Sequence, residues 1–223
     1  MSGEVCSACE VGGKLPADCY IYKSGASLQS GILTMSLSHQ PLTLVEVRPA
    51  GGGRGQGLFA CADLQAGTVL VEEEPLVQVT VPHTAATLAK FLGQLRSQVR
   101  ALDEDRQDEF FSLHIARPEL SSKDRGDLRM MAVHQTNSLV LRERDKLKGK
   151  HLGTAVFPVT SRINHSCRPN CVWSYNAEQG SCEVRSVRLI QAGEEILANY
   201  VEPLSCRADR QKLLTAKVVS KKK

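Results

Sequence analysis

The stretch Ser161–Cys171, "SRINHSCRPNC", gathers one His, two Cys, two Asn and two Ser around a single Pro. Three chemistries use these residue types. Zinc coordination would recruit His165, Cys167 and Cys171. Ligands so close in sequence rarely close a tetrahedron alone, and no partner pair stands nearby. A thiol nucleophile with its base would pair Cys167 with His165. Such pairs normally meet from distant segments, so adjacency in the chain adds little. The third reading is a tight turn whose Asn and Ser groups satisfy backbone hydrogen bonds. Taken by itself, the stretch favours that turn.

Two further stretches carry possible chemistry. "RGQGLFA" (Arg54–Ala60) is a glycine-flanked turn. It could bring backbone N–H and C=O groups close to a ligand, because glycine lacks the Cβ obstacle; a hairpin turn is the ordinary alternative. "GEEILANY" (Gly193–Tyr200) ends a strand-like run on a Tyr just before a Pro-containing loop. Near the N-terminus, "CSAC" places Cys6 and Cys9 at zinc-compatible spacing, with Cys19 nearby. One pair is not two, so free thiols are the expectation there.

The elements that must position these residues are of two textures. From Leu42, "LTLVEVR", "LFACADL", "TVLVEEE" and "PLVQVTV" read as short strands with close turn signals, a compact β unit rather than alternating βαβ. Over about residues 84–141 the period becomes helical. Leu88, Phe91, Leu92, Leu95, Val99 and Leu102 share a face. Asp103 is the expected N-cap of a second helix running through Phe110, Phe111 and Ile115 to a stop at Pro118. A third helix is predicted over Leu128–Leu139. After the basic loop "RERDKLKGK", β texture returns in "TAVFPVTSRI", "CVWSYN", "CEVRSVRLI" and "EEILANY". The predicted architecture is α+β, mostly β, with a helical insertion. Residues 1–40 are expected to be a poorly ordered leader, 41–202 the domain, and 203–223 a helix with a basic tail.

The totals bound the function. A chain of 223 residues can build one substantial core. No apolar run approaches the roughly 18–20 residues of a membrane helix. No signal peptide is visible, which points to an intracellular compartment, nuclear or cytoplasmic, and to reduced cysteines. The net charge of +4 arises from the tail, since six basic residues and no acid lie from Arg210 onward. The remaining body is slightly acidic, so no direct nucleic-acid binding and no membrane partner are predicted.

In this order, "GRGQGLFA", "SRINHSCRPNC" and "AGEEILANYV" resemble the SET-domain protein lysine methyltransferases. The insertion with "HQTNSLVL" (His134–Leu141) is similar to the variant in SET-and-MYND-type enzymes and related fungal SET proteins. The resemblance covers about residues 42–214. It implies a SET fold with a knot-like active site, in which the "RINHS" and "ANYV" segments pass through one another. It implies S-adenosylmethionine (SAM) as cofactor, contacted by Arg54, Gly55, Gln56 and Gly57, by Asn137, and by Ser161, Asn164 and His165. It implies Tyr200 at the methyl-transfer centre, and a protein substrate bearing a lysine, histone or non-histone.

The residue types suit that chemistry. Methyl transfer from a sulfonium to an amine is an in-line displacement. It needs a neutral amine, whereas free lysine has a pKa of about 10.4. An apolar channel and a nearby cation both favour deprotonation, and alignment supplies much of the rest. A phenol can orient the reactants without acting as a strong base. No metal or thiolate is required.

The sequence departs from the family pattern after Tyr200. Many members close the lysine channel with a Cys-rich segment whose three Cys join the "NHSC" Cys on zinc. Here only Cys206 follows, and the MYND zinc cluster is absent from the insertion. Cys167 is therefore expected to be an unmetallated thiol, with no metal bound and the channel incomplete. Two competing readings follow: a non-catalytic SET-like interaction module, and a zinc-dependent binding module built on Cys6, Cys9 and Cys19.

Overall fold

A computed structural model describes residues 44–116, 125–142, 151–201 and 205–218. The leader, with Cys6, Cys9 and Cys19, and the lysine-rich end of the tail lie outside them.

Among the described residues, ten short strands form three small sheets. The first has the order β1 (Val45–Pro49), β2 (Gln56–Ala60), β10 (Glu195–Ala198), β7 (Asn164–His165). The second is β3 (Val69–Glu73), β9 (Ser181–Ser186), β8 (Cys171–Asn176), and the third is β4 (Val77–Val79), β6 (His151–Val156), β5 (Leu139–Arg142). All pairs are antiparallel except β7 with β10, where Asn164 faces Leu197 and His165 faces Ala198. A parallel pair joins segments far apart in the chain. Here it brings the opening motif beside the run that ends in Tyr200.

The insertion holds α1 (Leu88–Ala101), α2 (Glu104–Ser112) and α3 (Asp127–Asn137). The predicted helical face of α1 buries Phe91, Leu95 and Val99, while Leu88 stays partly exposed. With Phe110, Met130 and Val133 they pack onto Val77, Val79 and Val156 of the third sheet. Each such fully buried side chain contributes about 1.5–3 kcal/mol of transfer free energy. Helix α1 also blunts the β4 edge. The Gln98 side-chain carbonyl accepts from Gln78 N at 3.2 Å, and Gln94 Oε1 accepts from Thr80 N and Val81 N at 3.1 and 3.2 Å. Edge amides that would otherwise pair with another chain are thus satisfied within the fold.

Asp103 caps α2 as expected, accepting from Arg106 N at 2.8 Å. Two boundaries differ from the sequence reading. Helix α2 ends at Ser112, well before Pro118, and Leu113 turns extended. The Ser112 hydroxyl bonds Glu109 O at 2.7 Å, and Leu113 N reaches Phe110 O, so the last turn tightens and stops. Helix α3 ends at Asn137, and Leu139 opens β5 instead of continuing the helix. Pairing with β6 places Leu141 in the core beside Ala155 and Phe157, a burial that one more helical turn would not give.

A second core, built from Leu58, Ile163, Val184, Ile190 and Ile196, joins strands of the first and second sheets and takes in the motif residues Ile163 and Cys171. No described helix is long and apolar enough to cross a membrane.

Candidate active site

The opening motif begins in a single 3-10 turn, Thr160–Arg162, and runs into β7. Its second half is pinned to β10 by Asn170. That side chain is fully buried: Nδ2 donates to Glu195 O at 2.8 Å and Glu194 Oε1 at 3.1 Å, and Oδ1 accepts from Leu197 N at 2.7 Å. Asn170 N also donates to Leu197 O, and Ser166 N to Ala198 O. The carboxamide therefore substitutes for a missing strand neighbour, where each unpaired buried group would cost about 1–3 kcal/mol. Arg188 bonds Glu194 and holds its carboxyl below the usual carboxylate range, so Glu194 faces Asn170 as an acceptor.

Tyr200 lies two residues beyond β10. Its N–H donates to His165 Nδ1 at 3.0 Å, and its hydroxyl donates to Ile163 O at 2.5 Å. Because Nδ1 accepts, the imidazole proton sits on Nε2, 3.4 Å from Cys167 Sγ. Burial, helped by the charge of Glu195, pushes the Tyr200 phenol up to about 12. The group is a neutral phenol at any physiological pH.

Asn164 is buried and faces the glycine-rich turn. Its Nδ2 donates to Gln56 O at 3.0 Å and to Glu195 Oε1 at 2.9 Å. Both amide protons are thus spent within the protein. Glu195 also takes Arg54 Nη1 at 2.7 Å, and only 11% of its side chain is exposed. Gly57 makes this approach possible: a Cβ there would stand 2.8 Å from Glu195 Oε1 and 3.1 Å from Asn164 Nδ2. Gly55 has φ +76°, which favours glycine, and its carbonyl accepts from Ala50 N to close the turn. So Arg54, Gly55, Gln56, Gly57 and Asn164 form one cluster.

Asn137 and Ser161 form a second. The Ser161 hydroxyl donates to Asn137 O at 3.0 Å, joining the motif to the end of α3. Asn137 is buried, and its Nδ2 donates to His114 O and Val133 O, each at 2.7 Å. Its amide protons staple the exit of α2 to α3, and the side-chain oxygen is the acceptor left to offer a ligand.

Sequence reasoning singled out neither Glu195, which joins Arg54 to Asn164, nor Asn170, which fixes β10. Both lay inside the quoted motifs. A Glu in a strand reads as a surface residue; the signal for Asn170 was the reading of its motif as a turn whose Asn groups satisfy backbone. The thiols divide by setting. Cys167 and Cys206 are exposed, whereas burial pushes Cys171 and Cys182 up to about 12 and leaves them unreactive. Among the described residues no group of three His, Cys, Asp or Glu converges as a metal site.

Both the sequence and the fold are similar to those of known proteins. Over 161 residues the chain is 28% identical to "Histone-lysine N-methyltransferase set5" of Schizosaccharomyces pombe, covering 72% of this chain and 43% of that protein. It is 28% identical over 127 residues to "N-lysine methyltransferase SMYD2" of Rattus norvegicus, covering 52% and 27%. It is 43% identical over 60 residues to "N-lysine methyltransferase SMYD2-B" of Xenopus laevis, covering 27% and 14%. The chain thus spans less than half the length of these curated relatives. The fold is similar to that of the SET domain of LSMT, solved bound to lysine and AdoHcy, with TM-score 0.50 at 12% identity over 82% of this chain and 53% of that one. The family model described as the SET domain matches residues 55–201, more than half of the sequence, and the chain belongs to the SET-domain family.

Proposed function

We propose that this chain transfers a methyl group from SAM to the side-chain amine of a lysine in a protein substrate, with Tyr200 at the transfer centre. The observation that carries this reading is the parallel pairing of β7 with β10, which sets Asn164 and His165 beside the segment ending in Tyr200. The relatives named as lysine methyltransferases support the reaction class.

The residues fit SAM. The carboxamides of Asn137 and Asn164 spend their N–H groups on protein acceptors, leaving oxygens suited to the ammonium and amine donors of such a cofactor. The turn Gly51–Gly53 and Gly55 has open space where side chains would stand, so backbone can approach a ligand. When bound, SAM supplies an electrophilic methyl on a sulfonium.

The protein's own groups do the rest by position. The phenol of Tyr200 donates to Ile163 O, which fixes its ring, and it stays protonated up to about 12. It is no base at neutral pH, so the substrate ammonium must lose its proton to something other than this phenol. The ring and its oxygen then orient the amine rather than accept its proton. Arg54, Glu195 and Asn164 hold the glycine turn against β10, so cofactor contacts and Tyr200 share one frame.

Calorimetric titration with SAM, followed by labelled-methyl transfer to a panel of proteins, tests the reading. The expected result is SAM binding, lysine-linked label, and loss of about a hundredfold in transfer with binding retained in Tyr200→Phe. SAM binding with no labelled protein on any substrate would favour the interaction-module reading instead.

A further inference from the structure

Glu73 has no place in the cluster just described, yet it sits at the root of the motif. It ends β3, and its side chain points into the core, with the residue only 3% exposed. Its two carboxylate oxygens accept from Val159 N at 3.0 Å and Thr160 N at 2.6 Å. Those are the opening amides of the 3-10 turn that delivers Ser161, Ile163, Asn164 and His165. The first amides of a helical turn have no partner inside it, and a carboxylate is the strongest acceptor the chain can offer them.

The turn has other bonds of its own: Ser161 N to Phe157 O, Arg162 N to Val159 O, and Ile163 N to Thr160 O. These fix its shape. Glu73, reaching from 86 residues earlier in the chain, bonds the turn's backbone directly to the end of β3, while Ile163 packs on the same sheet through the core it shares with Leu70 and Val184. Every contact downstream inherits that position. Ser161 reaches Asn137, the Ile163 carbonyl takes the Tyr200 hydroxyl, and Asn164 meets Gln56 and Glu195. Burial pushes the Glu73 carboxyl up from its ordinary range, against the Thr160 side chain and the two amides, which favour its charge. A buried carboxylate is a costly way to gain stability alone, because desolvation offsets much of the gain.

We propose that Glu73 is a positioning residue for methyl transfer, holding the Val159–Thr160 amides so that Asn164, His165 and the Tyr200 hydroxyl acceptor stand in register. This rests on the methyltransferase reading for its kinetic consequence, but not for its structural one.

The test compares the full chain with Glu73→Gln, nearly isosteric, and Glu73→Ala. A Gln offers one acceptor oxygen and turns an N–H₂ toward the second amide. Two measurements are made on the folded proteins. Amide hydrogen exchange is followed over residues 159–165, and SAM KM and kcat are measured separately. The expected result for Glu73→Gln is at least about tenfold faster exchange confined to 159–165, with a fall in kcat of about ten- to a hundredfold at saturating SAM. A variant that is merely less stable would speed exchange throughout and leave kcat of the folded fraction unchanged. Unchanged local exchange in both variants overturns the proposal. Faster local exchange in Glu73→Gln, together with a wild-type protein that binds no SAM, would retain the clamp and remove the methyltransferase reading, so the two failures are told apart. If Glu73→Ala does not fold, Glu73→Gln decides alone.

Discussion

Tyr200 and His165 are locked by a backbone-to-ring bond: Tyr200 N donates to His165 Nδ1 at 3.0 Å, with ring centroids 5.3 Å apart. The His165 side chain is thus an acceptor that fixes the backbone of the residue at the proposed transfer centre. It needs neither nucleophile nor metal to explain its place beside Cys167.

His165→Ala is expected to remove that acceptor, to cost about 1 kcal/mol of stability, and to lower methyl transfer more than SAM binding. In His165→Asn, the amide oxygen can stand where Nδ1 stood and should restore most of the loss. Steady-state kinetics with the three proteins checks this. Equal activity in His165→Ala and wild type would show that the bond does not matter to the reaction.

Two glycines give opposite expectations for the same substitution. Gly153 in β6 has φ +125°, and a Cβ there would lie 2.4 Å from Val79 O and 2.9 Å from Thr80 Cα. These are backbone atoms of a neighbouring segment and cannot move aside. Gly153→Ala should cost about 3 kcal/mol or more. Gly93 lies within α1 with open space around it, so Gly93→Ala should add about 0.5–1 kcal/mol. Urea midpoints of both variants check the pair.

His134 sets a pH dependence of stability. It is 3% exposed, its Nε2 lies 3.2 Å from Thr154 Oγ1, and burial, with the nearby His83, lowers it to about 4. The unfolded chain takes up this proton as pH falls through about 6.5, while the folded chain stays neutral until about 4. Folding is therefore favoured above that window and weakens as pH drops into it. Between about pH 7.5 and 5 the loss from this group should be about 2 kcal/mol. Urea titrations at both pH values, with His134→Gln as reference, isolate it: the wild type should lose more than the variant. Equal losses would rule out His134 as the source.

What the sequence made legible divides along physical lines. The motif stretches were legible because their residue types are unusual together, and Asp103 because capping chemistry is local. The end of α3 was not legible, since Leu139 and Leu141 fit a helical stripe as well as a strand. Pairing with β6, from beyond residue 150, decides between them. Glu73 and Glu195 stayed hidden for the same reason. A Glu in a strand reads as solvent-facing until the fold supplies the distant amides of Val159 and Thr160, or the side chains of Arg54 and Asn164. Asn137 and Asn164 enter the sequence reading only as cofactor contacts implied by the resemblance. That their N–H groups are turned toward protein carbonyls and a carboxylate was not legible there.

Asn170 offers the sharpest test of how the Tyr200 strand is held. Its side chain supplies the partner for Leu197 N and a donor for Glu195 O, both within β10. Asn170→Ala leaves those groups buried without replacement, at a cost of about 3 kcal/mol. For a chain of this size that lowers Tm by about 6–12 °C. Asn170→Asp keeps an acceptor for Leu197 N but sets a carboxylate against Glu194 Oε1 and Glu195 O, so it should be no better than Ala at neutral pH. A thermal melt of each variant measures the cost. SAM titration on the folded protein at low temperature then asks whether β7 and β10 remain in register. A melt within about 2 °C of wild type for Asn170→Ala would mean that strand pairing alone holds β10.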